Sequence, residues 1–245
     1  MEPESAPLVG CETLLAVPTP LERKCLERHL LDRHEPLRQA ALEGRHRWIG
    51  CGAGPVVSGI TLGHALATYR PRRVLLLGIA GGFAGRCEIG EAWVADSFAL
   101  DGVGAWHERR VLPPAELSWS MYEPTGANDP SWELESPIVA APWLSLPSNA
   151  NAPARLAGSL TVCAAAGSAD QAAERAERHP TCVAEEMEGF AAAVACRCHD
   201  VPFTMVRGVS NTAGYRDFAR WEIEPALASV ARLVAEALLE SAMVE

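Results

Sequence analysis

Lysine is almost missing from this chain. Lys24 is the only one among 245 residues, so nearly all of the positive charge is arginine, which we read as a genome-composition bias. Basic residues are also outnumbered, 21 against 31 acidic, for a formal charge of −10. That balance argues against a nucleic-acid partner. Long apolar runs are missing too. The longest low-polarity stretch, Val74 to Gly85, is glycine-rich and too short to cross a bilayer. The first dozen residues, MEPESAPLVGCE, have neither the basic start nor the apolar stretch of a secretory signal. Eight cysteines at irregular spacing make no disulfide framework. Cys196, Cys198 and His199 have no second Cys/His pair at ligand spacing, and small cysteines pack well in a helix. We therefore expect no metal and no cofactor, in a cytoplasmic protein without a membrane or nucleic-acid partner.

What is present reads as one α/β domain over 1–245. Leu14–Val17 is a short apolar run stopped by Pro18 and Pro20, as for a buried strand entering a loop. A helix is expected from Leu21 to about Ala41, broken before Pro36, and another over Val56–Tyr69 after the glycine-rich turn Gly50–Gly54. Val74-Leu-Leu-Leu77 is continuously apolar, the pattern of a central strand covered on both faces. Further strands are expected at Trp93–Ala95, Leu160–Ala164 and Phe203–Val206, and helices at Glu186–Cys198 and Pro225–Leu239. Alternating strands and helices predict a three-layer α/β/α sandwich around a mixed, largely parallel sheet. Between about 111 and 155, proline, serine, asparagine and tryptophan (Trp119, Trp132, Trp143) replace periodicity. A stretch that long is expected to be a loop insertion at a site mouth or a subunit contact.

Three features carry chemistry. Gly78-Ile-Ala-Gly-Gly82 leaves the carboxyl end of the best strand, where open α/β sheets place ligands. It is neither a dinucleotide fingerprint nor a P-loop, and a plain tight turn is the alternative. Glu185-Glu186-Met187-Glu188 puts three carboxylates at an expected helix start. They suit either the helix dipole or the hydroxyls of a sugar. Arg207, Ser210 and Asn211 come at the end of a strand, followed by Gly214-Tyr-Arg-Asp217 and Trp221. An amide there suits a heterocycle edge, because it both donates and accepts, or it caps a turn.

VLLLGIAGGF, followed by EEMEGFAAAVACRCHDVPFTMVRGVSN, resembles the nucleoside phosphorylase/nucleosidase superfamily, which cleaves N-ribosidic bonds. The matching order runs from Leu14 to Leu239. The ending SN-x-x-G-Y-R-D-x-x-x-W is similar to the futalosine hydrolases within it, which use water to release hypoxanthine in menaquinone biosynthesis. The resemblance implies that Met187 and Glu188 bind ribose, and that Ala80 and Gly81 line the sugar and the attacking water. It implies that Glu22 activates that water, at a position one residue late. Asn211 falls where the adenosine-type nucleosidases of the superfamily carry an aspartate. Asp217 is a candidate proton donor toward the base, or else a partner of Arg216 or Arg220. The base-stacking residue has no clear match in Ala164–Ala169. An arginine or backbone donor is expected for the benzoate of futalosine. A homo-oligomer, dimer or higher, is also expected.

Two chemical decisions go beyond the resemblance. Hypoxanthine shows an acceptor at both O6 and N7, so an amide at position 211 serves it where a carboxylate would repel. The phosphorylases of the superfamily carry an arginine in the strand before the glycine loop, where this chain has Leu75-Leu76-Leu77. Water is the expected nucleophile. A methylthioadenosine/S-adenosylhomocysteine-type nucleosidase, a 6-oxopurine phosphorylase and a nucleoside-binding module without turnover are the alternatives.

Overall fold

Leu14, Ala16, Val74 and Leu76 face one apolar core, while Leu15, Val17, Leu75 and Leu77 face another. Strands with period-two alternation of two apolar faces need cover on both sides, and that requirement sets the architecture. The structure is a computed structural model that describes residues 10–108, 110–126, 134–144, 146 and 155–242. The strands are β1 (Thr13–Val17), β2 (His46–Gly50), β3 (Arg73–Gly82), β4 (Ala92–Leu100), β5 (Ala105–His107), β6 (Arg110–Leu112), β7 (Ile138–Val139), β8 (Leu156–Thr161), β9 (Cys182–Glu186) and β10 (Phe203–Thr212). The helices are α1 (Pro20–Leu31), α2 (Glu35–Leu42), α3 (Pro55–Tyr69), α4 (Ala169–Arg178), α5 (Gly189–Cys198) and α6 (Ile223–Ala242).

Strands run β2-β1-β3-β10-β4-β8-β9 across the main sheet, and β9 returns to pair with β3 at Gly81 and Gly82. The sheet is mixed: β1–β2, β1–β3, β3–β10, β4–β8 and β8–β9 are parallel, while β4–β10, β3–β9 and β4–β7 are antiparallel. The pair α3 and α5 covers one face, and α1 and α6 pack together on the other. The expected α/β/α sandwich is therefore found, with one end of its sheet rolled onto itself. Among the described residues, no helix is long and apolar enough to cross a membrane.

Several sequence-based boundaries need correction. Gly78–Gly82 is not a loop: β10 pairs with β3 along its whole length, from Phe203↔Val74 to Thr212↔Gly82, so the ladder carries the glycines as strand. Glu185 and Glu186 end β9 instead of opening a helix, and α5 starts only at Gly189, with Glu188 at its N-cap. The strand expected at Leu160–Ala164 lies earlier, at Leu156–Thr161. Cys196 is buried in the core as expected, but Cys198 is exposed. The described part of 111–155 makes a small hairpin with β5, the strand β7 and a docked Trp143. The Trp143 indole donates to the Val74 carbonyl at 2.9 Å, at the amino end of β3 and far along that strand from Gly81. Trp132 lies outside the described residues.

Candidate active site

Three glycines decide how close the functional groups come. Gly78 is the register partner of Arg207 across the β3–β10 ladder. A Cβ at Gly78 would lie 1.9 Å from Arg207 Nη1 and 2.7 Å from Glu22 Oε1. Only the bare glycine leaves room for both the guanidinium and the Glu22 carboxylate against the strand at this point. Gly81 is the second: a Cβ there would be 3.5 Å from the Asn211 amide nitrogen. The third is Gly54, whose φ of +87° is a glycine conformation. It aims its N–H at Glu188 Oε1, 3.0 Å away.

The carboxylates of the Glu185–Glu188 run do three separate jobs, which explains why neither simple reading of the cluster covers it. Glu185 accepts from the Ala166 N–H at 2.8 Å and pairs with Arg175 at 2.7 Å. Glu186 accepts the N–H groups of Glu188 and Gly189 at the start of α5, the Thr161 hydroxyl and Arg207. That is the helix-terminus role. Glu188 accepts from Gly54 at one oxygen and from Arg207 Nη2 at 2.8 Å at the other. Each oxygen keeps one lone pair unused, the acceptor count that two vicinal hydroxyls need.

Arg207 is fully buried, and its Nε and Nη1 find no partner among the described residues. Its charge is shared between Glu186 and Glu188, with Glu22 close by. Burial is the main cause that pushes the Glu188 carboxyl up, to about 7; Arg207 opposes it and Glu186 adds to it. The ionised form is the one that accepts hydroxyl hydrogen bonds. kcat/KM is therefore expected to fall as pH drops below about 7. Linkage runs the other way: the stability that this raised value contributes is complete below the ordinary carboxylate range and is lost as pH rises through about 7. Glu188→Gln is expected to raise KM and lower kcat together and to abolish that acid limb. Rate-against-pH profiles of both proteins check this, and an unchanged profile would leave Glu188 a partner of Gly54 and Arg207 only.

Glu22 sits in the first turn of α1, behind the N-cap Thr19 and Pro20. Its Oε1 accepts from the Ile79 N–H at 3.0 Å and its Oε2 from the Thr19 hydroxyl at 2.5 Å, so the carboxylate is turned onto β3. Asn211 lies just past a bulge in the β3–β10 ladder, where the register shifts between Val209 and Asn211. Ser210 donates to its Oδ1 at 2.8 Å, and its Nδ2 donates to the Thr212 carbonyl at 3.0 Å. A carbonyl only accepts, so this fixes the amide orientation and leaves one N–H for the cavity.

These groups share a cavity of about 360 Å³ lined by Glu22, Ala80, Gly81, Met187, Glu188 and Asn211. Six of the seven residues expected at a site are thus brought together, from four separate stretches of chain. Asp217 is not among the lining residues. Its carboxylate caps the short 3₁₀ turn Phe218–Arg220 through the Ala219 N–H at 3.2 Å and pairs with Arg220 at 3.4 Å. This is the structural partnership with Arg220 that the sequence offered beside the proton-donor reading. No residue of the described part of 111–155 lines the cavity. The sequence pointed to Glu186, Gly54, Arg207 and Trp221 only as members of a carboxylate run, a glycine-rich turn and a strand end, without a role in the site, and Phe218 at the mouth was missed. The glycine opposite Arg207 was the available signal, legible only with the β3–β10 register in hand. Cys25, His29 and Glu224 also come together, at the α1–α6 contact, where Arg28 holds Glu224 as well.

The family model described as the Phosphorylase superfamily matches residues 20–241. The chain is 35% identical over 157 residues to the futalosine hydrolase of Streptomyces coelicolor, covering 64% of this chain and 61% of that protein. It thus spans less than two thirds of that relative. The futalosine hydrolase of Acidothermus cellulolyticus is 32% identical over 201 residues, 80% of this chain and 78% of that protein. The crystal structure of a 5′-methylthioadenosine/S-adenosylhomocysteine nucleosidase from Neisseria meningitidis shares the fold, with a TM-score of 0.70 at 17% identity, over 94% of this chain and 99% of that one. The match over nearly the whole sandwich, cavity included, means that the chain belongs to the phosphorylase superfamily.

Proposed function

We propose that the protein hydrolyses the N-ribosidic bond of futalosine and releases hypoxanthine. The observation that carries this reading is the convergence of Glu22, Glu188 and Asn211 on one cavity, together with the futalosine hydrolases among its relatives. In the reaction, the N9–C1′ bond breaks and its electron pair moves into the purine, leaving an oxocarbenium-like ribosyl group. Glu188 holds the 2′- and 3′-hydroxyls. Asn211 donates to the purine edge and favours the departing electron density. Glu22 takes a proton from water as the water oxygen bonds to C1′, and the departing purine anion takes up a proton from solvent to leave as hypoxanthine. Arg207 holds the carboxylates in place.

Charge supports water over phosphate as nucleophile. Glu22, Glu186 and Glu188 surround a single guanidinium that already serves two of them. A phosphate dianion entering here would be desolvated beside carboxylates, which is costly. The chain works as a single domain in the cytoplasm as a homo-oligomer. Val56, Val57 and Ile60, exposed on α3, support a subunit contact on that helix.

The test is cleavage of futalosine, inosine and methylthioadenosine, each with and without phosphate. The expected result is fastest turnover of futalosine with free hypoxanthine and no phosphate dependence. Ribose 1-phosphate formation would overturn hydrolysis, faster cleavage of methylthioadenosine would overturn the substrate, and binding without release of base would overturn turnover.

A further inference from the structure

The far wall of the cavity differs from its floor in charge and in polarity. Glu22, Glu185, Glu186 and Glu188 line the inner part. Leu21, Phe218, Trp221 and Ile223 line the outer part together with Arg216, the one basic side chain among the lining residues described. Leu21 and Glu22 are successive residues, so the start of α1 turns one side chain to each region.

Among the described residues, Arg216 has no acidic partner. The neighbouring Asp217 is taken by Arg220 and by the Ala219 N–H. The guanidinium carbon instead lies 5.1 Å from the Phe218 ring centre and 5.4 Å from that of Trp221. The two rings are themselves 4.5 Å apart and tilted by 40°. Phe218 is 62% exposed, an apolar ring with uncovered surface at the mouth of a cavity. Stacking occupies the face of a guanidinium and leaves its edge N–H groups pointing outward. That fork matches the two oxygens of a carboxylate. An anionic ligand end is disfavoured on the floor, where four carboxylates outnumber the paired guanidiniums of Arg175 and Arg207, and is drawn to Arg216 at the mouth.

We infer that Arg216, with Phe218 and Trp221, forms a subsite for an aryl carboxylate carried on the 5′ side of the ribose, and that Arg216 determines specificity for that charge. The ring of the ligand lies over the exposed aromatic surface, and its carboxylate takes the guanidinium edge. The orientation follows from Glu188 and Asn211 holding sugar and base on the floor, so the inference rests on the proposed nucleoside reading of the site.

Equilibrium binding separates the two. Titration calorimetry compares a pair of 5′-aryl nucleosides identical except for carboxylate or carboxamide on the ring. The wild type is expected to prefer the carboxylate by about tenfold or more, the range for a charged hydrogen bond reduced by exposure. In Arg216→Met the preference should fall to near one, and Arg216→Lys should restore part of it. Raised salt should shrink the wild-type preference. Equal affinity of the wild type for both ligands, a preference that survives in Arg216→Met, or binding of neither would overturn the subsite. If the carboxylate preference holds while futalosine is not hydrolysed, the proposed function fails and the subsite stands. If futalosine is hydrolysed without any preference, the reverse is true.

Discussion

Replacing Glu22 by Gln is expected to lower kcat by about 10²–10⁴-fold, the usual contribution of a positioned acid or base, with KM little changed. The local structure tolerates this change. The Gln carbonyl can still accept from the Ile79 N–H, and its amide can donate to a Thr19 hydroxyl that rotates to accept. The buried position therefore keeps its hydrogen bonds, and what disappears is the capacity to take a proton from water beneath C1′. The thermal midpoint should stay close to that of the wild type, which separates loss of a base from loss of fold. Steady-state kinetics with futalosine, as a function of pH, make the measurement. Survival of both kcat and the pH profile would place the proton acceptor elsewhere and reduce Glu22 to a partner of α1 and β3.

Asn211→Asp should cost on the order of 10²-fold or more in activity on the hypoxanthine nucleoside, comparable to losing one preorganised donor. The Thr212 carbonyl sharpens the argument. In the wild type one amide N–H serves that carbonyl at 3.0 Å and the other is left for the base. An ionised aspartate has no hydrogen to give, so it faces the Thr212 carbonyl and the purine carbonyl with like partial charge. A protonated one has a single hydrogen and satisfies only one of them. Either state loses the donor. An adenine analogue suffers less, because its exocyclic amino group donates to the new carboxylate. The ratio of kcat/KM for futalosine and aminofutalosine, wild type against variant, reads the effect and cancels general loss of stability. A ratio that fails to move toward adenine means that Asn211 does not read the base.

The alternation in Leu14–Val17 and the unbroken apolar run Val74–Leu77 determined the layers by themselves, because a strand with two apolar faces has to be covered twice. The M-E-G and V-R-G-V-S-N strings likewise carried Met187, Glu188 and Asn211 to the cavity. What pairing decides was out of reach of local pattern. Gly78–Gly82 reads as a turn until β10 is laid beside it from Val74 to Gly82, since glycine has no side chain to declare a strand. The register of that ladder sets Arg207 against Gly78, and the bulge after Val209 re-aims Asn211. The division of labour among Glu185, Glu186 and Glu188 depends on Arg175, Thr161, Arg207 and Gly54, donors supplied by elements far apart in the chain. For Asp217 the sequence offered an acid or a partner of Arg220, and the structure shows it capping a single turn of 3₁₀ helix and paired with Arg220. Local periodicity reports which faces must be buried; the role of a charged side chain depends on which donors and acceptors the fold places opposite it, and those are fixed only when distant strands and helices close on one another.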